Sequence, residues 1–342
     1  MNEQAQSVST QERLFSSPNV EDARSFFMQK PRTLTSKLMS VSEAVDRYVH
    51  DGDYIASGGF GGVRIASAVL HEMVRKHKKN LGLAGHTATH DFQILAAGRC
   101  FNRCDVAYIV GLEMRGLSPN SRRYVESGAV KMTEWSNATL AWRYKAASMG
   151  VPFLPTRVLM GTDIIKYSAA KEIECPFTGQ RLMAVPALFP DVAIIHVHRA
   201  DMYGNCQIDG ITIADYDVGR SAKRVIISTE RLVDTDEIRK EPLKTLLPFW
   251  LVDAVCHVPY GSYPGNMPYE YFSDEDHLAE WMEVEQDMGA FEKFLDKYIY
   301  GVRDFSEYLE LKGGEARMAE LRELEPLKRD ADEVVTRAGG SR

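Results

Sequence analysis

Asp51-Gly52-Asp53-Tyr54-Ile55-Ala56-Ser57-Gly58-Gly59-Phe60-Gly61-Gly62 carries a short apolar strand straight into four glycines that bracket one aromatic ring. Glycine tolerates positive φ and has no Cβ. A loop of this kind therefore lets the backbone approach another group closely and turn its N–H donors toward an anion or a developing oxyanion. By spacing alone the stretch is neither a Walker loop nor Gly-x-Gly-x-x-Gly, and on that ground it reads as an ordinary strand-to-helix turn. What flanks it decides between the two.

Upstream, Ser40-Val41-Ser42-Glu43 has the form of a capping box, and Ala44, Val45, Tyr48 and Val49 recur at helical spacing, so a helix precedes the glycine strand. Downstream, short β-rich runs at 81–84, 106–110, 184–186, 192–198 and 225–229 alternate with helical stretches such as 65–76 and 136–149. That alternation predicts an α/β fold, a mainly parallel sheet covered by helices on both faces. Between Pro155 and Phe189 the pattern turns irregular, with turn chemistry at Cys175-Pro176 and Thr178-Gly179, and reads as a substrate-side excursion. Residues 1–35 are polar and lack sustained periodicity, which predicts a flexible N-terminal extension. The principal domain is placed at 36–312 and a charged tail at 313–342, although apolar residues keep helical spacing from about Asp274 to Leu324.

The chain has 342 residues, 44% of them hydrophobic, a formal net charge of −7 and a pI near 5.8. The acidic balance argues against a general binder of nucleic acid or anionic membranes. Cys100, Cys104, Cys175, Cys206 and Cys256 form no CxxC pair, so reduced thiols and a cytoplasmic setting are expected. No window approaches about 18 consecutive apolar residues, and the first thirty carry acids without an apolar segment, so neither a membrane span nor a signal peptide is expected.

The glycine stretch, with Asp53 and Ser57 before Gly-Gly-Phe, resembles the signature of family I CoA-transferase alpha subunits. In the same order, Gly150-Val151-Pro152-Phe153-Leu154-Pro155, Asp191-Val192-Ala193-Ile194-Ile195-His196, Val252-Asp253-Ala254-Val255 and Pro259-Tyr260-Gly261-Ser262-Tyr263-Pro264 look like the alpha subunit of glutaconate CoA-transferase. The likeness covers about residues 37 to 312, and the ordered series is far more specific than any one segment. It implies a CoA thioester as substrate rather than a tightly bound cofactor. It also implies transfer of CoA between an acyl-CoA and a carboxylic acid such as glutaconate, in a heterodimer or heterotetramer with a beta subunit. That beta subunit would supply the nucleophilic glutamate. Glu126-Ser127-Gly128 is the nearest imitation of such a nucleophile in this chain, and it reads as a helix end with Gly128 in the C-cap position.

On this resemblance Gly58, Gly59, Phe60 and Gly61 form the oxyanion and CoA loop, while Arg64, past the loop, and Ser118, after the strand at 106–110, are candidates for the substrate carboxylate. Glu113 follows the same strand, placed either to meet substrate or to pair with Arg115 or Arg122. Asn137 opens the next helix behind a Ser136 N-cap, where ring-opening hydrolases of the family place an acid; an amide cannot act as a base, which counts against that branch. His86 and His90 would face a common ligand if helical, but no third ligand is evident and no metal is expected; substrate hydrogen bonding, a general-acid role and plain packing are the alternatives. His196 and His198 project from an apolar strand and read as substrate-facing or as closing the core. The rival readings are a CoA-thioester hydrolase or decarboxylase subunit of the same family, a sugar-phosphate isomerase or ligand sensor of similar architecture, and a non-catalytic structural subunit.

Overall fold

The structure is a computed structural model and describes residues 13–109 and 116–329. Helices α1 (Val20–Gln29) and α2 (Val41–Tyr48) precede strand β1 (Tyr54–Ser57). Three strand-bound crossovers follow: α3 (Ser67–Arg75) to β2 (Leu81–Ala88), α4 (His90–Ala97) to β3 (Phe101–Ile109), and α5 (Pro119–Glu126) to β4 (Lys131–Glu134). Helix α6 (Asn137–Met149) leads into β5 (Phe153–Thr156), β6 (Lys171–Glu174) and β7 (Arg181–Pro186), and then into β8 (Val192–Ala200) and β9 (Cys206–Gln207). Next come α7 (Asp215–Ser221), β10 (Arg224–Leu232), α8 (Thr235–Lys240), β11 (Thr245–Leu247) and β12 (Ala254–His257). The chain closes on α9 (Glu275–Val284), α10 (Met288–Leu295), α11 (Phe305–Leu311) and α12 (Gly314–Leu324).

Among the described residues β12, β10, β8, β1, β2, β3 and β4 lie side by side in one parallel run, and β9 and β11 extend the sheet antiparallel from β8. Period-two alternation sends neighbouring side chains to opposite faces. Ile55, Val192 and Ile194 enter the core beneath α2, α3, α4 and the C-terminal helices; Tyr54, Ala56, Ala193 and Ile195 enter the core on the α6 and α7 side. Both faces are thus dry, which is why these strands read as continuous apolar runs. The α2 capping box is present: Ser40 Oγ accepts from Glu43 N at 3.1 Å, and the Glu43 carboxylate accepts from Ser40 N at 2.9 Å.

Two boundaries differ from the sequence reading. Residues 20–29 of the stretch expected to be flexible form α1, because Ala23 packs with Ala146, Ala147 and Phe189, and Lys30 Nζ reaches Asp253 Oδ2 at 2.7 Å across the fold. Residues 314–324, assigned to a charged tail, form α12, whose Met318 and Leu321 are buried at i,i+3 spacing in the main core. The irregular stretch 155–189 is a separate three-stranded antiparallel sheet of order β5–β7–β6, with β6 almost wholly exposed. Exposure on one side removes the apolar run that marked the parallel strands.

Under the sheet Asp105 is fully buried; it accepts from Trp135 Nε1 at 2.6 Å and from the Tyr54 hydroxyl. Arg143 Nη1 lies 2.5 Å from Asp105 Oδ1, close enough for an ion pair although not angled as a hydrogen bond, and its guanidinium stacks 4.4 Å above the Trp135 ring.

Candidate functional site

Strand β1 stops at Ser57 while its neighbour β8 continues to Ala200, and β9 pairs with β8 only at its far end. The glycine loop fills the slot this leaves at the carboxyl end of the sheet, the usual place for ligands in an open parallel α/β fold. Gly58 N donates to Ile194 O at 2.8 Å, and Gly61 N donates to Thr87 O at 2.9 Å, so the loop bridges β8 and the end of β2. Two glycines are required by space. A Cβ on Gly58 would stand 2.6 Å from Asp215 Oδ1, and one on Gly59, at φ 83°, would stand 2.5 Å from Val63 O.

Asp215 is the organising side chain. Wholly buried at the first position of α7, it accepts from Gly59 N at 2.7 Å through Oδ1 and from Arg64 Nη2 at 2.9 Å through Oδ2. Arg64 is itself buried with φ 58°, and its Nη2 also donates to Ile211 O at 2.9 Å. The expected carboxylate ligand is therefore already neutralised, and Arg64 works as a brace behind the loop. The oxyanion expectation changes as well. Gly58, Gly59, Phe60 and Gly61 all spend their amides on acceptors within the chain, Phe60 N on Val63 O at 3.0 Å, whereas Gly62 N–H carries no hydrogen bond among the described residues.

The half-buried rim of the loop is made by Phe60, Gly62 and Val63. The Phe60 ring meets His86 edge-on with centroids 5.7 Å apart, and His86 Nε2 lies 3.1 Å from Asn137 O. A carbonyl partner places the proton on Nε2 and leaves Nδ1 as an acceptor. Burial lowers the His86 pKa, so the ring is neutral near pH 7. Asn137 Oδ1 accepts from Thr87 Oγ1 at 2.9 Å, which joins the start of α6 to the end of β2. Phe60, His86 and Asn137 thus meet beside the glycine loop.

His90 and Ser118 do not join them. Strand β2 ends at Ala88 and α4 begins at His90, so His86 and His90 are not on one helical face. His90 is buried edge-on against Trp281, centroids 4.8 Å apart, beside His71 and His277. Among the described residues no group of three His, Cys, Asp or Glu is placed to hold a metal ion. Ser118 is the buried N-cap of α5, with Oγ 2.6 Å from Glu285 Oε2, a contact that ties α5 to the C-terminal helices. Glu113 and Arg115 lie outside the described residues. Helix α5 ends at Glu126 with Gly128 at φ 76°, as the helix-end reading requires. His196 is wholly buried between Ser228 Oγ at 2.8 Å and Glu230 Oε1 at 2.7 Å, and His198 between Pro268 O and Asp209 N, so both close the core.

A family model for coenzyme A transferase matches residues 38–257. The chain belongs to the coenzyme A transferase family. It is 36% identical over 277 residues to the alpha subunit of 3-oxoadipate CoA-transferase from Pseudomonas knackmussii, covering 80% of this chain and 97% of that one. The alpha subunit of glutaconate CoA-transferase from Acidaminococcus fermentans is 30% identical over 304 residues, covering 84% and 95%, and the glutaconate CoA-transferase crystal structure from that organism superposes with a TM-score of 0.80. The decarboxylase AibA/AibB superposes with a TM-score of 0.69 at 30% identity, covering 77% of this chain and 98% of that one. No described helix is long and apolar enough to cross a membrane.

In this transferase chain sequence reasoning missed Asp215 and Asp91. Asp91, at the start of α4, is buried beside Ser57; burial lifts its carboxyl to about 6 against the hydrogen bonds it accepts from backbone amides and the Ser57 hydroxyl. Its one sequence signal is its place at the end of Gly85–Asp91, just after the strand neighbouring the glycine loop. Beside Asp215 a crevice of about 660 Å³ opens, lined by Thr212, Tyr216, Lys244, Tyr269 and Arg329 among others.

The buried histidines set an acid limit on stability. Burial lowers the pKa of His71, His86 and His277, and takes His198 to about 3. The unfolded chain binds protons at these sites near pH 6.5 while the folded chain refuses them, so stability falls as pH drops below that value. Asp91, lifted to about 6, and Glu285, also raised by burial, act oppositely and favour the fold as pH falls, but they are two groups against four. His198 alone is expected to cost about 2 kcal/mol between pH 7 and 5. The unfolding midpoint should drop by about 3 °C or more over that interval; a flat midpoint would contradict the burial account.

Proposed function

We propose that the chain is the alpha subunit of a two-subunit enzyme moving CoA between an acyl-CoA and a dicarboxylate of the glutaconate or 3-oxoadipate class, in the cytoplasm. The observation that carries this reading is the near full-length likeness to the alpha subunits of two transferases whose named substrates are dicarboxylic acids, in a chain that keeps the glycine loop at the carboxyl end of its sheet. The beta subunit supplies the nucleophilic glutamate, which attacks the thioester carbonyl, passes through a mixed anhydride and holds CoA as a glutamyl thioester. This chain supplies the opposing wall. The rim formed by Phe60, Gly62, His86 and Asn137 faces the reacting carbonyl, with Gly62 N–H as the open donor for its oxygen. Ile211 and Leu243, 75% exposed and fully exposed, form an apolar border that the partner covers.

The test is CoA transfer from succinyl-CoA or acetyl-CoA to a panel of mono- and dicarboxylates, with this chain alone and with its partner subunit. Transfer is expected only in the pair, with CoA trapped covalently on the partner. Thioester loss without an acceptor would favour a hydrolase, and CO2 release with the thioester kept would favour a decarboxylase, the reading that the 30% identity to a decarboxylase supports. Activity of the lone chain would refute the assignment of the nucleophile.

A further inference from the structure

The glycine loop is held from beneath by a segment far along the chain. Asn266 N donates to Gly62 O at 2.8 Å, and Asn266 O accepts from Arg64 N at 2.8 Å. The approach is close enough that a Cβ on Gly265 would stand 2.5 Å from Gly62 O. Both backbone groups of Asn266 are therefore committed to the loop, and its side chain points the other way. Asn266 Nδ2 donates to Tyr271 O at 2.8 Å and to Glu325 Oε2 at 2.7 Å.

Glu325 is the first residue past α12 and is only 3% exposed. Its other oxygen accepts from Leu327 N at 3.1 Å and from Tyr269 N at 3.4 Å. The same C-terminal strap grips the 266–274 segment at further points: Phe272 N donates to Leu321 O at 2.9 Å, and Arg317 Nη2 lies 2.8 Å from Asp274 Oδ1. Arg329 then reaches Asp209 and Glu270 over the Tyr269 ring, at the edge of the crevice beside Asp215. The strap and the 265–274 segment it grips both lie beyond the residues matched by the family model.

We propose that Glu325 is a positioning residue for the glycine loop, acting through Asn266 to fix the placement of Gly62 opposite the reacting carbonyl and of Arg64 behind it. The proposal rests on the function given above for the loop. A buried carboxylate receiving amide N–H donors makes charge-assisted bonds, shorter and stronger than neutral ones. Removing it leaves the Tyr269 amide unsatisfied and frees one of the two anchors of the Asn266 side chain, so the segment carrying Gly62 loses its fixed height. Glutamine at the same position keeps an acceptor oxygen of the same reach and preserves part of the hold. A staple that merely fastened α12 to the body would weaken folding without altering the loop.

The experiment compares Glu325→Ala, Glu325→Gln and the exposed control Glu315→Ala, each in the complex with the beta subunit. It reads amide hydrogen exchange over residues 60–66, together with kcat and KM for CoA transfer. For Glu325→Ala the expected result is about 10-fold faster exchange at Val63 and Arg64 and about 10-fold lower kcat, with KM changed less than about threefold. Glu325→Gln should fall between, which keeps the test decisive if the alanine variant does not fold, and Glu315→Ala should match the native complex. Native exchange in the loop of a folded Glu325→Ala or Glu325→Gln protein would overturn the proposal. So would faster loop exchange with unchanged kcat. If no complex transfers CoA at all yet Glu325→Ala still loosens the loop, the mechanical link stands and it is the functional reading of the loop that has failed.

Discussion

Replacing Asp215 by alanine is expected to lower CoA-transfer turnover of the complex by about 10²-fold and to destabilise the isolated chain by about 3 to 5 kcal/mol. The two losses have different origins. Turnover falls because Gly59 N loses its 2.7 Å acceptor and the loop no longer holds its rim in place. Stability falls because Arg64 is left as a buried cation without its partner at 2.9 Å. The effects should separate in two further variants. Asp215→Asn keeps an acceptor oxygen for Gly59 N while removing the charge, so it should lose stability comparably but less than about 10-fold in turnover. Asp215→Ala combined with Arg64→Met should recover much of the stability, since no unpaired charge remains, without recovering turnover. Urea unfolding and steady-state transfer measure these; an Asp215→Ala complex turning over at the native rate would end the case for Asp215 as the loop's organiser.

The second large effect lies under the sheet. Asp105→Ala removes the acceptor for Trp135 Nε1 and the Tyr54 hydroxyl and the counter-charge of Arg143, all of them buried. Leaving a buried guanidinium without its counter-charge and the Trp135 N–H unsatisfied, while the Tyr54 hydroxyl falls back on Leu83 O at 3.1 Å, should cost about 4 kcal/mol or more, a large part of the ~5 to 15 kcal/mol that holds a typical domain together. We expect little or no folded protein at 37 °C, with partial rescue by the added substitution Arg143→Met. A denaturation midpoint within error of the native value for Asp105→Ala would show that the network contributes nothing.

How much of this was legible depends on how local each cause is. Strand β1 was legible because Tyr54–Ser57 is a short apolar run between a turn and a glycine. The α2 cap, and the Ser136 cap that starts α6, each complete their signal within four residues. Membership in the CoA-transferase family was legible for a related reason: several short local segments in a fixed order suffice. The roles of Arg64 and Ser118 were not legible, because each depends on a partner more than 100 residues away, Asp215 and Glu285. His90 looked like a companion to His86 on spacing, and the change from strand to helix between them sends it into an aromatic core instead. Helix α1 was missed because its packed face is only Val20, Ala23 and Phe27, too short a helical spacing to stand out in a polar stretch.

The slot between β8 and β2 also has a bearing on the order of events during synthesis. The loop at residues 58–64 leaves the ribosome early, but the groups that define its shape do not exist yet: Ile194 O, the Asp215 carboxylate and Asn266 belong to sequence still to be made. A nascent chain ending before residue 215 offers Gly59 no acceptor and Arg64 no counter-charge. The glycine loop is therefore written into the first fifth of the chain but takes its form only after most of the remainder has arrived, and incomplete chains cannot hold it in its finished shape.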